Sequence, residues 1–590
     1  MRTNERAVFL PRPVLPAILL PALMLALAGP AGAQIGPELI VHHARIYTAD
    51  PAVPSAEALA VSGGEIVAVG DEATVMALAT PATQVVDAGG RTVIPGLIDA
   101  HAHVMGLGRA HRILDLVGTQ SAGEVVETVR SATAERSADE WITGRGWDQN
   151  DWEEKRFPSH AALDAVAPGN PVYLTRVDGH AGWANARAME LAGISADTPD
   201  PPGGRIERDD RGQPTGVFID NAQALVASAI PLASGPELEA RLAAAMAAMA
   251  AVGLTGAHDM GVNQTELELY REWSRAGRLT ARLVVYLGYD RETLDWLYAT
   301  GATSVGTEPH SHLRVVGFKF YADGALGSRG AALLAPYSDD PGNTGLLVTD
   351  ADSLAAGVVR AIQDGLQPAI HAIGDRGNRV ALDAIEAGER ARLATAMPTP
   401  CAGSGEDPCA ADPDAPLRPR IEHAQVVALE DIPRFAELGV VASMQPTHAT
   451  SDMYWAEDRV GPERIRGAYA WRRMRDAGVT VACGSDFPVE SPNPFIGLYA
   501  AVTRQDLKGW PEGGWRPEER MSREEALACF TRDAARVVGM EDEVGSLTVG
   551  KRADFLILDR DPMTVPADQI WGTKVLRTVV DGRTVFEAGQ

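Results

Sequence analysis

The sequence predicts an α/β protein: a (β/α)8 TIM barrel with a composite β-sandwich domain formed by both termini and an insertion domain. Apolar strand candidates alternate with alanine-rich helical segments about eight times through the middle of the chain, which is typical of a closed parallel barrel. Both ends of the chain contain short alternating strands separated by turns. The length of 590 residues exceeds the roughly 250 of a bare barrel, so further modules are expected.

The β-sandwich is predicted from residues 34–95 and 541–590. Segments such as ELIVHHARIYTAD and KVLRTVVDGRTVFEAG alternate apolar and polar residues between turns. The motif GGRTV at 89–93 returns as DGRTV at 581–585, which favours strands from both ends in one sheet. A domain built from both termini implies that a large module is inserted between them.

The inserted module, residues 96–540, is predicted to be the barrel. Its clearest helix, ELEARLAAAMAAMAAVG, is expected to end at Gly253 in a C-cap role. The tryptophan-rich stretch at about 141–250 is the candidate insertion that accounts for length beyond a bare barrel, although the strand candidate NPVYLTRVDGH within it is counted among the barrel strands.

The first 33 residues are typical of a secretory signal peptide. Arginines precede an apolar stretch at 14–29, and Ala31-Gly32-Ala33 fits the small-x-small cleavage rule, so cleavage is expected after Ala33. Two prolines and the short length argue against the alternative, an uncleaved membrane anchor, and no cysteine follows for lipid attachment. We therefore expect an exported protein, periplasmic or secreted, without a stable membrane anchor.

The net charge of −26 opposes binding to phosphate backbones, so nucleic acid is not an expected partner. The expected partner is a small-molecule substrate, and a homodimer is the expected assembly because dimers are common in such folds. Only five of the 53 basic residues are lysines, at 155, 319, 508, 551 and 574. A GC-rich genome explains the arginine bias, but a lysine in an apolar setting still needs a reason of its own.

Four cysteines are too few for a disulfide framework in a chain of this length. Cys401 and Cys409 bracket a loop-like stretch that suits a local bridge in an oxidising compartment. Cys483 and Cys529 lie in apolar contexts and are predicted to be buried thiols. None has zinc-finger spacing, so a metal would be held by histidine, aspartate or a less usual ligand.

Several histidines and an aspartate stand where predicted barrel strands end. His101 and His103, at positions i and i+2 of a strand, point to the same face and can converge on one ion. His371, His423 and Asp486 end three further strands. Each alone fits a core histidine or a capping aspartate, but carboxyl ends of barrel strands form one rim. The joint pattern predicts a site for Zn²⁺ or a similar divalent ion.

Lys319 ends the apolar strand candidate LRVVGFKFYADG. Burial lowers the pKa of an amine from about 10.4, and a neutral amine can add CO2 to become a carbamate. Two ions at about 3.5–4 Å need a bridging anion, and no glutamate stands at a matching strand end between His103 and His371. The alternative is a lysine paired with Asp323.

Motifs along nearly the whole chain after the signal segment match one family. They are VIPGLIDAHAHV, WITGRGWDQNDW, YLTRVDGHAGWANARAM, HDMG, KFYADGALGSRGA, HAIGDRGN, RIEHAQ, GSDFPVESPNPFIGLYAAVTR and VGSLTVGKRADFLILDRDP. On these residues the chain resembles the amidohydrolase superfamily, and within it the amidohydrolase family 3 group that includes N-substituted formamide deformylases. Gly330 departs from the family pattern, which favours threonine.

The resemblance implies a (β/α)8 barrel with a composite β-sandwich and a centre of two divalent metal ions, expected to be zinc. The implied metal ligands are His101, His103, Lys319, His371, His423 and Asp486. The first two histidines bind one ion with the aspartate. The lysine, as a CO2-derived carbamate, bridges to the second ion, which the remaining two histidines complete.

The expected catalytic residues are Asp486, as general base, and His180 in the segment DGHAGW. His180 is also expected to bind the substrate, together with Trp183, Asp323 and Arg329, although each fits a structural role as well. His258 is expected either to support the metal ligands or to contact the substrate, and no role is expected for His448.

The resulting expectation is a metal-dependent amidohydrolase that cleaves a carbon–nitrogen bond other than a peptide bond, for example in an N-substituted formamide or N-acyl compound. A metal-bridging hydroxide attacks, and Asp486 passes its proton to the leaving group. An ester, lactone or cyclic-imide hydrolase on the same site is the alternative, while Lys319 argues against a deaminase. A different class, a non-catalytic exported small-molecule binding protein, is disfavoured because all six ligand-type residues are present.

Overall fold

A computed structural model describes residues 36–589 apart from 135, 232, 301–310 and 396–416. The expected signal peptide and the expected Cys401–Cys409 bridge lie outside these residues. Among the helices that are described, none combines the length and apolar character needed to cross a bilayer.

Strands of the described chain form a composite β domain, a barrel and an inserted sheet. In chain order they are β1 (Leu39–His42), β2 (Arg45–Tyr47), β3 (Ser55–Ala56), β4 (Ala58–Ser62), β5 (Glu65–Gly70), β6 (Gln84–Asp87), β7 (Thr92–Pro95), β8 (Leu97–Ala102), β9 (Leu114–Asp115), β10 (Ile142–Trp147), β11 (Val172–Arg176), β12 (Ala181–Ala184), β13 (Gly204–Arg208), β14 (Pro214–Asp220), β15 (Leu254–Val262), β16 (Arg282–Gly288), β17 (Leu313–Tyr321), β18 (Gln367–Ala372), β19 (Arg420–His423), β20 (Val441–Met444), β21 (Val481–Cys483), β22 (Phe555–Leu558), β23 (Val575–Val580) and β24 (Arg583–Glu587).

The α-helices mostly follow the barrel strands. In chain order they are α1 (Glu72–Met76), α2 (Val104–Ala110), α3 (Ala122–Thr133), α4 (Ala161–Val166), α5 (Ala186–Leu191), α6 (Gln223–Ala227), α7 (Gly235–Ala251), α8 (Gln264–Arg275), α9 (Arg291–Thr300), α10 (Ala351–Gln363), α11 (Asp375–Thr395), α12 (Ile432–Glu437), α13 (Pro446–Asp452), α14 (Ala456–Arg464), α15 (Trp471–Asp476), α16 (Pro494–Thr503), α17 (Arg523–Cys529) and α18 (Arg532–Arg536).

Local sequence signals set several helix ends. α8 starts after Asn263, whose side chain accepts a hydrogen bond from the Glu266 amide while the Glu266 carboxylate accepts one from the Asn263 amide. Such a capping box satisfies amides that have no partner within the helix. Gly253 follows α7 with φ +84°, a conformation that glycine adopts without steric cost, which confirms its expected C-cap role.

The composite β domain uses strands from both ends of the chain, as predicted. One sheet has the order β5-β4-β1-β6, and the other has the order β24-β23-β22-β7-β2-β3. β22 runs antiparallel to β7, with Leu556 opposite Ile94, so the C-terminal strands join the N-terminal ones directly. Apolar side chains of both sheets, including Val41 and Phe555, pack into a common core.

The eight-stranded sheet is the predicted barrel. Its order is β21-β20-β19-β18-β17-β16-β15-β8, and every pairing between neighbours is parallel. The first and last strands meet through backbone hydrogen bonds from Asp486 N to His101 O (2.8 Å) and from His103 N to Phe487 O (2.9 Å). Gly484 permits this approach, since a Cβ there would lie 2.5 Å from the His101 backbone nitrogen. The barrel therefore closes at the residues that were predicted to bind metal.

The insertion between β8 and β15 is a separate six-stranded sheet of order β13-β14-β12-β11-β10-β9. Its strands run from Leu114 to Asp220, so its bounds differ from the predicted 141–250. α7 belongs to the barrel instead, because it packs against α2 so closely that a Cβ on Gly108 would lie 2.0 Å from the Arg241 carbonyl oxygen. The alanine-rich composition of α7 did not distinguish it from the insertion.

Cys483 and Cys529 are both fully buried, as expected, but they form a disulfide rather than two thiols. The bond joins the end of β21 to the end of α17 across 46 positions of sequence. The prediction of free thiols was wrong because the two residues are distant in sequence and only the packing of α17 against β21 brings them together.

Candidate metal centre

Three histidines at the barrel mouth are oriented by acceptors on their Nδ1 atoms. His101 Nδ1 lies 2.5 Å from Glu422 Oε2, and His103 Nδ1 lies 2.9 Å from the Met260 carbonyl oxygen. His423 Nδ1 lies 2.8 Å from Gln445 Oε1. An acceptor on Nδ1 fixes the proton there and leaves Nε2 free as a ligand atom, which is the usual arrangement behind metal-binding histidines.

Asp486 is buried between these imidazoles. Its Oδ1 lies 3.1 Å from His103 Nε2 and 3.5 Å from His101 Nε2, yet this buried oxygen has no hydrogen bond. Burial acts to raise the pKa of Asp486, but the nearby imidazoles of His101 and His103 hold it well below its usual range. The carboxylate is therefore ionised and has unused acceptor capacity.

Two of these residues have strained backbones. His423 has φ 70° and Asp486 has φ 60°, both in the left-handed region. Such conformations cost about 1–3 kcal/mol each for residues other than glycine and concentrate at functional sites. The strained residues stand at the ends of β19 and β21, where their side chains lie at the barrel mouth.

Lys319 is buried on β17, with 1% of its surface exposed. Its Nζ lies 3.3 Å from His101 Nε2 and 5.2 Å from the centre of the Tyr321 ring. Burial lowers the pKa of Lys319 to about 8, so the neutral amine is more populated near neutral pH than in an exposed lysine. The alternative pairing with Asp323 is not formed, because the Asp323 carboxylate accepts the backbone amides of Ala332, Ile373 and Gly374.

His371, on β18, is the last of the six predicted ligand residues. Its ring centroid lies 4.6 Å from that of His423, and its Nε2 lies 3.5 Å from the Gly324 carbonyl oxygen. All six predicted ligand residues are thus gathered at the carboxyl ends of β8, β17, β18, β19 and β21.

His180 reaches this group from the inserted sheet. Its ring lies 5.1 Å from the His371 ring, and its Nδ1 lies 2.6 Å from Asp220 Oδ1. Burial acts to lower the pKa of His180, but the hydrogen bond and charge of Asp220 raise it to about 9. The insertion therefore places a cationic hydrogen-bond donor beside the barrel mouth.

A family profile described as the amidohydrolase family matches residues 84–586, which is most of the chain. The chain belongs to the amidohydrolase family. It corresponds to amidohydrolase family 3, as the motifs indicated. The match covers the barrel, the inserted sheet and most of the composite β domain.

Relatives of similar length support this assignment. The amidohydrolase is 30% identical to the putative amidohydrolase YtcJ of Bacillus subtilis (strain 168), over 93% of this chain and 99% of the relative. It is 32% identical to the N-substituted formamide deformylase of Arthrobacter pascens, over 93% of this chain and 98% of the relative. A crystal structure of an uncharacterized metal-dependent hydrolase from Pyrococcus furiosus superimposes with a TM-score of 0.68 at 30% identity, covering 89% of this chain and all of that one.

The donor set of the amidohydrolase fits a divalent metal ion. Imidazole nitrogens and a carboxylate are typical ligands of Zn²⁺ and similar ions. One group of three such donors, His101, His103 and Asp486, has its ligand atoms within 4.8 Å of one another. The unpaired Asp486 Oδ1 would also be costly to keep buried without a cation. The chain is therefore a hydrolase of the amidohydrolase superfamily with a histidine–aspartate metal-binding centre.

The other predicted substrate residues take structural positions in the amidohydrolase. Trp183 is fully buried in the apolar core of the inserted sheet, 6.2 Å from the Trp147 ring. Asp323 anchors its own loop to the end of β18 through the backbone amides described above. Arg329 NH2 lies 2.9 Å from Asp339 Oδ2. Of the four predicted substrate residues, two approach His371: the His180 ring lies 5.1 Å from the His371 ring, and Asp323 Oδ1 lies 3.8 Å from His371 Nε2.

The glycine at 330, where the family pattern favours threonine, has a local physical reason. A Cβ on Gly330 would lie 2.5 Å from Asp220 Oδ2, and one on Gly324 would lie 2.6 Å from the same atom. The two glycines thus make room for the aspartate that holds His180. The departure from the family pattern accommodates the contact between the insertion and the barrel.

Sequence reasoning missed the charged support inside the barrel. Arg420 Nε donates to Glu422 Oε1 (2.6 Å), and Arg420 NH1 lies 2.9 Å from Nδ1 of His258. Burial acts to raise the pKa of Glu422, but the Arg420 guanidinium and His101 hold it well below its usual range. The motif RIEH carried the signal, because Arg420 and Glu422 stand two positions apart and share one face of a fully buried strand.

His448 was also missed. It lies on α13, directly after β20, and its Nε2 lies 3.8 Å from Asp486 Oδ2. Its position after the strand VVASMQ matched the pattern of the other mouth residues, so the same signal could have found it.

Proposed function

We propose that this hydrolase cleaves a carbon–nitrogen amide-type bond in a small molecule, such as an N-substituted formamide or another N-acyl compound. The observation that carries the proposal is the buried Asp486 carboxylate, ionised and with an unpaired oxygen, among oriented imidazoles and the Lys319 amine. The choice of bond is supported by the relative named N-substituted formamide deformylase, which aligns over nearly its whole length.

Two divalent ions, expected to be zinc, are proposed cofactors. His101, His103 and Asp486 would hold one, and His371 with His423 would hold the other. Bound there, such ions lower the pKa of water to about 7 and polarise a carbonyl oxygen. Lys319 would link the two sets as a carbamate, formed when its neutral amine adds CO2 and releases a proton, because burial favours the neutral amine.

Asp486 is the proposed general base. Its ionised carboxylate accepts a proton from the attacking water and later delivers it to the leaving nitrogen. The low pKa of Asp486 keeps the carboxylate ionised, and its unpaired Oδ1 lies at the barrel mouth, 3.1 Å from His103 Nε2. Its backbone amide donates to the His101 carbonyl oxygen of β8, which holds the residue in place.

His180 is the proposed substrate-orienting residue. Asp220 accepts the hydrogen bond from Nδ1, so the opposite ring nitrogen is available to the substrate. As a cation it would donate to the carbonyl oxygen or to a distal acceptor, which orients the scissile bond relative to Asp486.

Metal content and a lysine series test the centre. The purified full-length protein is expected to contain close to two equivalents of zinc-like metal, and Lys319→Ala and Lys319→Arg are expected to lose metal. Lys508→Ala provides a lysine control, since Lys508 N is bonded to Asp506 in an exposed turn. Short carboxylates or bicarbonate should partly restore Lys319→Ala. A metal-free wild-type protein with an intact fold would contradict the proposal.

A substrate panel tests the bond. N-formyl amines, N-acyl amino acids and aryl amides are expected to be hydrolysed faster than matched esters, lactones and cyclic imides. Preference for one of the latter would select the alternative chemistry on the same site. Binding of these compounds without turnover by the metal-loaded protein would instead favour an exported binding protein.

We also propose that the protein is exported and cut after Ala33. The buried Cys483–Cys529 disulfide supports this, because such bonds persist in oxidising compartments. N-terminal sequencing of protein from the periplasm or medium tests it; an intact N-terminus in the cytoplasmic fraction would contradict it.

A further inference from the structure

We propose that His448 is a metal ligand, which with His423 and Asp486 forms a second three-donor set at the barrel mouth. This inference rests on the proposed metal-dependent function and adds a ligand that the expected set of six does not contain. It concerns the helix α13, which follows β20, a barrel strand that contributes no residue to the expected set.

The distances place His448 with the ligands. The ligand atoms of His423, His448 and Asp486 all lie within 4.8 Å of one another. Zn–N and Zn–O bonds of about 2.0–2.2 Å put neighbouring donors of a tetrahedral ion roughly 3.4 Å apart, so small side-chain rotations bring the three donors onto one ion. The His423 and His448 rings already lie nearly parallel, 5.8 Å apart at an interplanar angle of 19°.

The two oxygens of Asp486 face different sets. Oδ1 lies 3.1 Å from His103 Nε2, whereas Oδ2 lies 3.8 Å from His448 Nε2. One carboxylate can therefore serve the set of His101 and His103 through one oxygen and the set of His423 and His448 through the other. A carboxylate has about four lone-pair positions, so this binding leaves acceptor capacity for the proton in the proposed reaction.

The unpaired state of His448 argues against a purely structural role. Its Nε2 is buried and has no hydrogen-bond partner, as is also true of Asp486 Oδ1. A buried polar nitrogen without a partner costs about 1–3 kcal/mol, so packing alone gives no reason to place a histidine here. A metal ion held by His448, His423 and Asp486 Oδ2 would satisfy the His448 nitrogen, and one held by His101 and His103 would satisfy Asp486 Oδ1.

Neighbouring residues keep this position rigid. Gln445 directly precedes α13, and its side-chain Oε1 lies 2.8 Å from His423 Nδ1, which fixes the His423 ring. Ser451, one turn after His448, donates to Glu490 Oε1 at 2.7 Å, which ties α13 to the segment after Asp486. Gln445 and Ser451, at the two sides of His448, thus link it to His423 and to the segment that contains Asp486.

Metal binding by His448 variants tests the inference without relying on activity. The second equivalent of Zn²⁺, followed by chelator competition, is expected to bind at least 10-fold more weakly in His448→Ala and His448→Asn. His448→Cys supplies a thiolate ligand and is expected to recover most of this affinity. With Co²⁺, it should also show a sulfur-to-cobalt charge-transfer band that the wild type lacks.

Thr450→Ala is the matched control, because Thr450 lies on the same helix and its hydroxyl bonds only to the Thr447 carbonyl oxygen. It should bind both ions as the wild type does. Wild-type affinity for both ions in His448→Ala would overturn the inference while leaving the proposed function intact. A wild-type protein that binds no metal would overturn both.

Discussion

The two ends of the barrel differ in how their buried carboxylates are paired. The mouth is formed by the carboxyl ends of the strands, and the floor by their amino ends. At the mouth, the Asp486 carboxylate has an oxygen with no hydrogen bond. At the floor, both oxygens of Asp554 and of Asp581 accept hydrogen bonds. The mouth contains unused ligand and acceptor capacity, whereas carboxylates of the floor are saturated.

The floor network joins the barrel to the composite β domain. Arg282, the first residue of β16, donates through Nε to Asp554 Oδ2 (2.8 Å) and also contacts Asp581. His312 Nε2 lies 2.6 Å from Asp581 Oδ2, and Arg552 Nε lies 2.6 Å from Oδ1 of the same residue. Saturated carboxylates at the amino ends of strands indicate stability, whereas a carboxylate with an unpaired oxygen at the carboxyl ends indicates chemistry.

The largest expected effect of a single change is at the mouth. Asp486→Asn removes the charge and the proton acceptor, so kcat should fall about 10²–10⁴-fold, the range for loss of general acid–base catalysis. The melting temperature should change little, because the variant removes a buried charge that takes no part in the ion pairs of the floor. Near-wild-type turnover in the metal-loaded variant would remove Asp486 from the mechanism.

The matching change at the floor should affect stability instead. Asp581→Asn leaves Arg282, Arg552 and His312 without their shared anion, and we expect a loss of about 3 kcal/mol in the free energy of unfolding. Activity per folded molecule should be unchanged. Glu587→Gln, which disturbs a half-buried pair with Arg577 in the same domain, should cost less than about 1 kcal/mol.

The difference in unfolding free energy between the wild type and Asp581→Asn should depend on pH in a defined direction. Burial acts to raise the pKa of Asp581, but His312 and Arg282 hold it well below its usual range of about 4. A lowered pKa stabilises the fold above the unfolded-state value, and this contribution is lost as pH falls. The wild-type advantage over Asp581→Asn should thus be constant from about pH 5 to 8 and shrink below about pH 4. Denaturant titrations of both proteins at several pH values measure this difference in unfolding free energy. The same difference below about pH 4 as at about pH 7 would contradict the lowered pKa of Asp581.

A smaller effect, on metal affinity, is expected at Gln445, which contacts a proposed ligand but not the metal. Gln445→Met removes the acceptor that orients His423, so metal affinity should fall about 10-fold, the lower end of the range for partners of metal-binding histidines. Gln445→Glu retains an acceptor and should retain affinity. Equal affinities in all three proteins, measured by chelator competition, would show that the His423 ring needs no such support.

An effect of similar size is expected at the contact between insertion and barrel. Asp220→Asn weakens the hold on His180, so kcat/KM should fall about 10-fold through loss of a charged hydrogen bond, with metal content unchanged. Asn221→Ala, a change at the adjacent exposed residue, is the control. An unaltered kcat/KM for Asp220→Asn would limit His180 to a structural role.

Much of the fold was readable from sequence because its signals are local. Strand periodicity and strand ends predicted the barrel, and the GGRTV and DGRTV motifs predicted the shared sheet of both termini. The insertion bounds and the Cys483–Cys529 bond were not readable, since α7 and α17 are assigned by what they pack against. Composition does not encode that choice.

What the sequence determined by itself is the set of chemical groups and the strand ends on which they stand. Position at a strand end follows from periodicity of two and from the common rim of a parallel barrel, both properties of the local chain. The tertiary structure alone decided which groups pair. Glu422 orients His101 across 321 positions of sequence, and His448 approaches Asp486 across 38, because register and barrel closure bring them together. Contacts of this kind depend on the relative placement of whole strands, to ångström accuracy, and no local pattern specifies that placement.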